Sequence, residues 1–165
     1  FGANRNERPE DFVTATELVR SFADIVSKNG NLLIGIGPDQ FGRIPEEQLV
    51  PLRGLGSWMR TNGAAVAGTR PWARAESTTT EGGEVRFTEC DGAVNAILLE
   101  VSGPEFGIRG VDATDVADVR LLGLGEPVQW RVDSGQLRVR LPERLPVSPA
   151  HVLTVGRGLR PAGPI

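Results

Sequence analysis

The chain has 165 residues, of which 39% are hydrophobic and 24% charged, and its formal net charge is −3 at pH 7. This composition is typical of a globular protein with one domain or two small ones. It argues against nucleic acid as a partner, because binding a polyanion needs a basic face. No apolar run approaches the length that spans a membrane, and a single cysteine excludes an internal disulfide.

The first predicted element is a helix that begins after Thr14. Thr14 and Glu17 have the spacing of a capping box. Apolar residues then recur at helical spacing as far as Val26. The pair Asn29-Gly30 suits a left-handed cap, which predicts the end of the helix.

A short apolar run follows this helix. Leu32–Ile36 lacks polar alternation, so we expect a strand over about residues 31–36 that is buried on both faces, as in a parallel sheet. Gly35, Gly37 and Pro38 would turn the chain at the carboxyl end of this strand, where α/β barrels place their sites.

A second helix is predicted over about residues 45–61. Pro45 suits its first turn, and Asn62-Gly63 suits its end. Gly54 and Gly56 within it lower its intrinsic helix propensity, so we expect them to allow close packing of the helix backbone.

After Trp72 the sequence consists of short runs rich in β-branched residues, separated by turn signals such as Gly125-Glu126-Pro127. Strands at this spacing predict an antiparallel sandwich. We expect the tail from about residue 157 to be irregular. The predicted strands are Glu84–Glu89, Val94–Val101, Gly107–Val111, Val119–Leu124, Val128–Val132, Leu137–Leu141 and His151–Val155.

The two halves therefore predict different architectures, with a boundary near residues 68–75. Residues 1–72 read as α/β, but one strand and two helices do not close a parallel sheet. We expect them to be an incomplete domain, and residues 73–165 to form an all-β antiparallel sandwich.

Four blocks in the first 72 residues carry a family resemblance. In chain order they are Phe1–Glu7, Asp24–Leu33, Gly37–Gln48 and Asn62–Trp72. They resemble the end of the catalytic barrel of the retaining α-L-fucosidases, glycoside hydrolase family 29. The resemblance implies that residues 1–72 are the last part of a TIM-like (β/α) barrel and that residues 73–165 are the C-terminal sandwich. Two positions depart from the family pattern, Ala3 in place of tyrosine and Gly35 in place of asparagine.

The resemblance implies an enzyme that removes terminal α-L-fucose from glycans through a covalent glycosyl-enzyme, without metal or organic cofactor. Its partners would be a fucosylated oligosaccharide or glycoconjugate and the N-terminal portion of the barrel. The family's nucleophile, an aspartate, and its acid/base, a glutamate, lie on earlier barrel strands, and no acid here matches either motif. We therefore assign no catalytic residue to this chain and expect it to be inactive alone.

The resemblance also implies a piece of pocket wall. An aromatic residue and a leucine of the family line the apolar side of the sugar, where the C6 methyl of fucose lies. They correspond to Phe1 and Leu33. For Leu33, a place in the barrel core is an equal alternative.

Other candidate site residues have simpler structural interpretations. His151 and Cys90 are the sole histidine and cysteine, and we expect both to be structural, since alone they do not make a zinc site. Asp39 lies in the loop after the apolar run and is the best candidate acid, but Pro-Asp-x-x-Gly favours a turn aspartate. The glycines around Gly37 lack the dinucleotide and P-loop patterns.

Three tryptophans could stack on a sugar, but their sequence contexts favour packing. We expect Trp58 in a helix core, Trp72 as a wedge at the domain junction, and Trp130 on the core face of a strand. The competing hypothesis for function is a non-catalytic β-sandwich module that binds glycans or a protein. The compartment, cytoplasmic or secreted, stays open.

Overall fold

The computed structural model describes residue 8, residues 11–124 and residues 128–157. Phe1, the predicted turn at residues 125–127 and all but the start of the predicted irregular tail lie outside the described residues. Over the described ranges the chain forms two α-helices, α1 (Ala15–Ser27) and α2 (Glu46–Asn62), and eight strands. The strands are β1 (Arg70–Thr78), β2 (Glu84–Cys90), β3 (Ala93–Leu98), β4 (Glu105–Asp112), β5 (Val116–Leu121), β6 (Gln129–Asp133), β7 (Gln136–Arg140) and β8 (His151–Arg157).

The strands form two antiparallel sheets. One has five strands in the order β1-β2-β3-β8-β5, and the other has three in the order β4-β7-β6. The seven predicted strands all form, with bounds that shift by a few residues. Strand β1 was not predicted, because this edge strand is mostly exposed and offers few apolar side chains.

The five-stranded sheet is the middle of three layers. One face packs against the three-stranded sheet through side chains such as Phe87, Leu98 and Leu153. The other face packs against the two helices through Ile97 and Val152, which are directly opposite each other across β3 and β8. These two central strands are therefore buried on both faces, which explains why the β3 sequence shows no polar alternation.

Helix α1 begins and ends as predicted. The Thr14 side chain accepts a hydrogen bond from the Glu17 amide, while the Thr14 amide donates to the Glu17 carboxylate at 2.8 Å. At the other end Asn29 takes the left-handed conformation, with φ of 64°. The Gly30 amide then donates to the Ile25 carbonyl at 2.8 Å, which completes a Schellman motif.

Ion pairs attach α1 to the edge of the five-stranded sheet. The Asp24 carboxylate lies 2.5 Å from Arg86 Nε on β2 and 2.8 Å from Lys28 Nζ, which also reaches Glu76 on β1. Burial raises the pKa of Asp24, but the hydrogen bonds from Lys28 and Arg86 outweigh burial and hold the pKa below its ordinary value. The Asp24 carboxylate therefore has a structural role, holding α1 against the sheet.

A buried polar chain joins the sheet to the residues after α2. The Thr88 hydroxyl donates to the Ala65 carbonyl at 2.6 Å, the Asn95 amide donates to Thr88 Oγ1, and Thr154 donates to Asn95 Oδ1 at 2.9 Å. Each side chain in this series is hydrogen-bonded to the next, which avoids the free-energy cost of leaving a buried polar group unpaired.

The predicted strand over about residues 31–36 does not form. No turn or bend interrupts the segment, and exposure alternates as far as Gly35: Leu32 and Ile34 are partly buried, and Leu33 and Gly35 are exposed. Ile36 is also exposed, which ends the alternation. No neighbouring strand pairs with it in the described part of the chain, and a strand is defined by its hydrogen-bonded neighbour. Local sequence determined the extended shape, and the absent partner prevented the sheet.

The two glycines of α2 differ in their surroundings. A Cβ added at Gly54 would overlap the Ala15 Cβ at the start of α1, whereas a Cβ at Gly56 would meet only the tip of Arg60 at 4.0 Å. The expectation of close packing is therefore correct for Gly54 and wrong for Gly56.

This difference gives a matched pair of variants. Gly54→Ala should lower the melting temperature, because forcing a methyl group into a filled contact costs about 1–3 kcal/mol. Gly56→Ala should raise it slightly, because alanine favours helix over glycine by about 1 kcal/mol. Thermal unfolding of the intact protein measures both, and equal shifts in the same direction would contradict the close contact of α1 with α2.

Candidate functional site

The candidate site is the connection between the helices, residues 29–45, together with the first turn of α2. This segment leaves α1 through the Schellman motif and crosses in an extended conformation to Gly37. A tight turn then leads to Pro45, which precedes α2. Fixed helices at both ends determine where the extended residues lie.

Gln48 holds the middle of this segment. Its side chain is almost fully buried, with 1% exposed. Its Oε1 accepts from the Gly37 amide at 2.9 Å, and its Nε2 donates to the Gly37 carbonyl at 3.3 Å. The side-chain amide of Gln48 thus pairs with the Gly37 backbone as a neighbouring strand would. The sequence did not predict this role, since Gln48 entered there only as one position of the Gly37–Gln48 family block.

Asp39 organises the turn that follows. Its carboxylate accepts from the amides of Phe41 and Arg43 at 2.8 and 2.9 Å and from Arg43 Nε at 3.0 Å. The hydrogen bond from the Arg43 amide is the main cause that lowers the pKa of Asp39, with further help from Phe41 and the Arg43 side chain. A carboxyl group that holds its proton so weakly is poorly suited as a general acid. The turn interpretation therefore accounts for Asp39.

Leu33 projects from the extended segment into solvent, with 95% of its surface exposed. Three other large apolar side chains of this region are also exposed: Ile36, Phe41 and Val50. A contiguous exposed apolar patch on a protein marks a surface that another group covers, and these side chains are the candidates for one here. The second predicted pocket residue, Phe1, lies outside the described residues.

His151 and Cys90 lie away from this segment. His151 begins β8 and lines a groove of about 350 Å³ between α2 and residues 146–149. Burial lowers the pKa of His151, which makes it neutral at pH 7. Burial is also the main cause that raises the pKa of the Cys90 thiol, with Asp91 adding to it, so the reactive thiolate is disfavoured.

The tryptophans occupy packing positions. Trp58 is in the helix–sheet core and donates to the Ala150 carbonyl at 2.8 Å. Trp130 is partly buried against the core between the sheets. Trp72 packs edge-on against Phe87 in that same core, with ring centroids 4.9 Å apart. The prediction that Trp72 wedges two domains was therefore wrong, since it lies on β1 within the sandwich.

Two classes of feature are absent from the described residues. No group of three or more histidine, cysteine, aspartate or glutamate side chains there could hold a metal ion. Neither described helix combines the length and apolar character needed to cross a bilayer.

Comparisons with known proteins agree on one family. Residues 1–64 match the family model for alpha-L-fucosidase. The alpha-L-fucosidase of Branchiostoma floridae is 35% identical over 144 residues, which cover 86% of this chain and 32% of that protein. The plasma alpha-L-fucosidase of Homo sapiens is 33% identical over 148 residues, which cover 87% of this chain and 31% of that protein.

Solved structures extend the match to the fold. The crystal structure of Thermotoga maritima alpha-fucosidase in complex with fucose has a TM-score of 0.84 and 35% sequence identity, and the match covers 94% of this chain. This chain matches part of an α-L-fucosidase. It spans about a third of the length of these relatives, and 37% of the Thermotoga chain.

The lowered pKa of His151 predicts how stability depends on pH. Below about pH 6.5 the unfolded chain binds a proton at His151 that the native state resists, so this residue lowers stability as pH falls. His151→Gln lacks this titration. The stability of the variant relative to the wild type should therefore improve between about pH 7 and pH 5.

Melting temperatures of the intact protein and the variant across that range measure the effect. Parallel pH curves would contradict the lowered pKa. Any enzymatic rate should be nearly unchanged by His151→Gln at pH 7, and a loss of about a hundredfold or more would indicate acid–base catalysis instead.

Proposed function

We propose that this chain is part of a retaining exo-α-L-fucosidase, which hydrolyses terminal α-L-fucose from glycans. The residues before β1 form the C-terminal end of its catalytic (β/α) barrel, and the residues from the start of β1 at Arg70 onward form its C-terminal β-sandwich. The observation that carries the proposal is the joint match of sequence and fold over 94% of the chain to an alpha-fucosidase solved with fucose.

Two features of the connection between the helices support the barrel assignment. From Asn31 to Gly35 its residues alternate between exposed and partly buried, as the residues of a barrel strand alternate between lumen and helix layer. The backbone of this segment is also extended and unpaired, so it can add to a sheet supplied by the rest of the barrel. An adaptor module would not need such a segment.

The proposed chemistry needs two carboxyl groups on either side of the glycosidic bond. In a retaining enzyme they lie about 5–5.5 Å apart, and one of them forms the covalent glycosyl-enzyme. We place both carboxyl groups in the portion of the protein outside this chain, because none of its 21 acidic residues matches either family motif. Asp24 and Asp39 also make structural contacts.

The contribution of this chain is scaffold and pocket wall, without a cofactor. Leu33 is exposed, and we assign it to the apolar surface beneath the C6 methyl of fucose. Phe1 is the second proposed wall residue. Gln48 positions this wall indirectly, because it fixes Gly37 four residues further along the same segment.

The proposal predicts a clear division of activity. Purified residues 1–165 should not hydrolyse an aryl α-L-fucoside, because they lack both carboxyl groups. The intact protein should hydrolyse it with net retention of anomeric configuration, observed by NMR of the first sugar released. Turnover by the isolated chain, or inversion by the intact protein, would contradict the proposal.

Leu33→Ala tests the pocket wall. In the intact enzyme it should reduce kcat/KM for an α-L-fucoside by about fivefold more than for an analogue that lacks the methyl group, since burying a methyl is worth about 1 kcal/mol. The measurement is steady-state kinetics on both substrates.

Ile34→Ala is the matched control, because Ile34 is the neighbouring residue and is partly buried where Leu33 is exposed. It should lower the melting temperature and affect both substrates equally. If Leu33→Ala also affected them equally, Leu33 would belong to the barrel core and not to the pocket.

A further inference from the structure

The outer face of the three-stranded sheet carries three arginines close together. Strand register places Arg131 of β6 directly opposite Arg138 of β7, and Arg140 of β7 directly opposite Glu105 of β4. The intervening residues Leu137 and Val139 face the core and are fully buried. All three guanidinium groups therefore project from the face that points away from the core.

Glu105 neutralises only part of this charge. Its Oε1 lies 2.7 Å from Arg131 Nη2 and 3.8 Å from Arg138 Nε. Arg140 makes no ion pair in the described part of the chain. Asp133 lies at the hairpin end of β6, where its carboxylate contacts the Ser134 hydroxyl. Each guanidinium has five N–H donors, so most donors of this face have no carboxylate acceptor among the residues that the structure describes.

Stability does not explain this arrangement. Like charges directly opposite across two strands destabilise a sheet, and Arg131 and Arg138 form such a pair. Arg138 Nε is also buried without a hydrogen-bond partner, which costs free energy. The chain as a whole has a net charge of −3, so a basic face is a local departure from its overall charge.

A cleft lies between these side chains. It has a volume of about 170 Å³, and its polar lining consists of Glu105, Gln129, Arg131, Arg138 and Arg140. Its size suits one small oxyanion with part of the group that carries it. A single guanidinium can bind a carboxylate through two parallel hydrogen bonds. A sulfate ester has three free oxygens, and several converging arginines suit it better.

We propose that this face, formed by Arg131, Arg138 and Arg140, binds a sulfate ester on an anionic oligosaccharide. The choice of a saccharide rests on the proposed function, since the substrates of a fucosidase are glycans. The site lies on the three-stranded sheet, whereas the two helices joined by the proposed pocket wall pack on the opposite face of the five-stranded sheet. It would therefore hold a charged part of the glycan away from the bond that is cleaved.

The experiment measures binding of a sulfated fucose oligosaccharide and its desulfated counterpart to the intact protein by calorimetry. The sulfated ligand should bind at least about tenfold more tightly at low ionic strength, and added salt should reduce the difference by screening. Arg140→Gln, at an exposed position, should weaken only the sulfated ligand, by several-fold. Arg138→Gln with Arg140→Gln should abolish most of the preference.

Arg120→Gln is the control variant. Arg120 is an exposed strand arginine of the other sheet, where it pairs with Asp118 at 2.6 Å. Its replacement should leave binding unchanged. Equal binding of the two ligands, an equal effect of Arg120→Gln, or tighter binding of an acidic peptide would overturn the proposal.

Hydrolysis of an uncharged aryl α-L-fucoside separates this inference from the proposed function. Arg140→Gln should not change it, because that substrate lacks a sulfate ester. Sulfate-dependent binding in a protein without hydrolysis would overturn the proposed function and leave this site standing. Hydrolysis without a preference for the sulfated ligand would overturn only this site.

Discussion

The burial of β3 and β8 on both faces is the constraint on which the rest of the structure depends. Their side chains alternate between the core that joins the two sheets and the core that joins the sheet to the helices. Removing either the three-stranded sheet or the helix layer would expose apolar surface of these two strands. Because Ile97 and Val152 pack directly beneath the helices, α1 and α2 have a defined position relative to the sandwich.

The placement of the helices in turn determines the position of the segment between them. The Schellman motif sets where the chain leaves α1, and the Gln48 amide sets where it passes Gly37. Between these points the backbone has extended geometry without a neighbouring strand. Its outward side chains, above all Leu33, present apolar surface that the described chain does not bury. The helices thus hold this segment with its apolar side chains exposed.

Charge has two different roles in this molecule. On the helix side, Asp24 pairs with Arg86 and Lys28, both of which also contact Glu76, and the members of the polar chain through Thr88 hydrogen-bond to one another. On the outer face of the small sheet, Arg131 and Arg138 contact the Glu105 carboxylate, and Arg140 has no ion pair among the described residues. Paired charges of the first kind hold layers together, whereas excess charge of the second kind is available to a ligand.

Sequence alone determined the features that depend on neighbours along the chain. The capping box at Thr14, the left-handed cap at Asn29, the Asp39 turn and seven strands follow from local pattern, since each depends on residues a few positions apart. Tertiary structure decided the rest. The run at Leu32–Ile36 is not a strand, because pairing needs a partner that no local pattern supplies. Only the packing of α1 on α2 distinguishes Gly54 from Gly56, and only strand register brings three arginines from two strands to one face. These features arise from contacts between residues distant in sequence, whose positions are set by the layers as a whole.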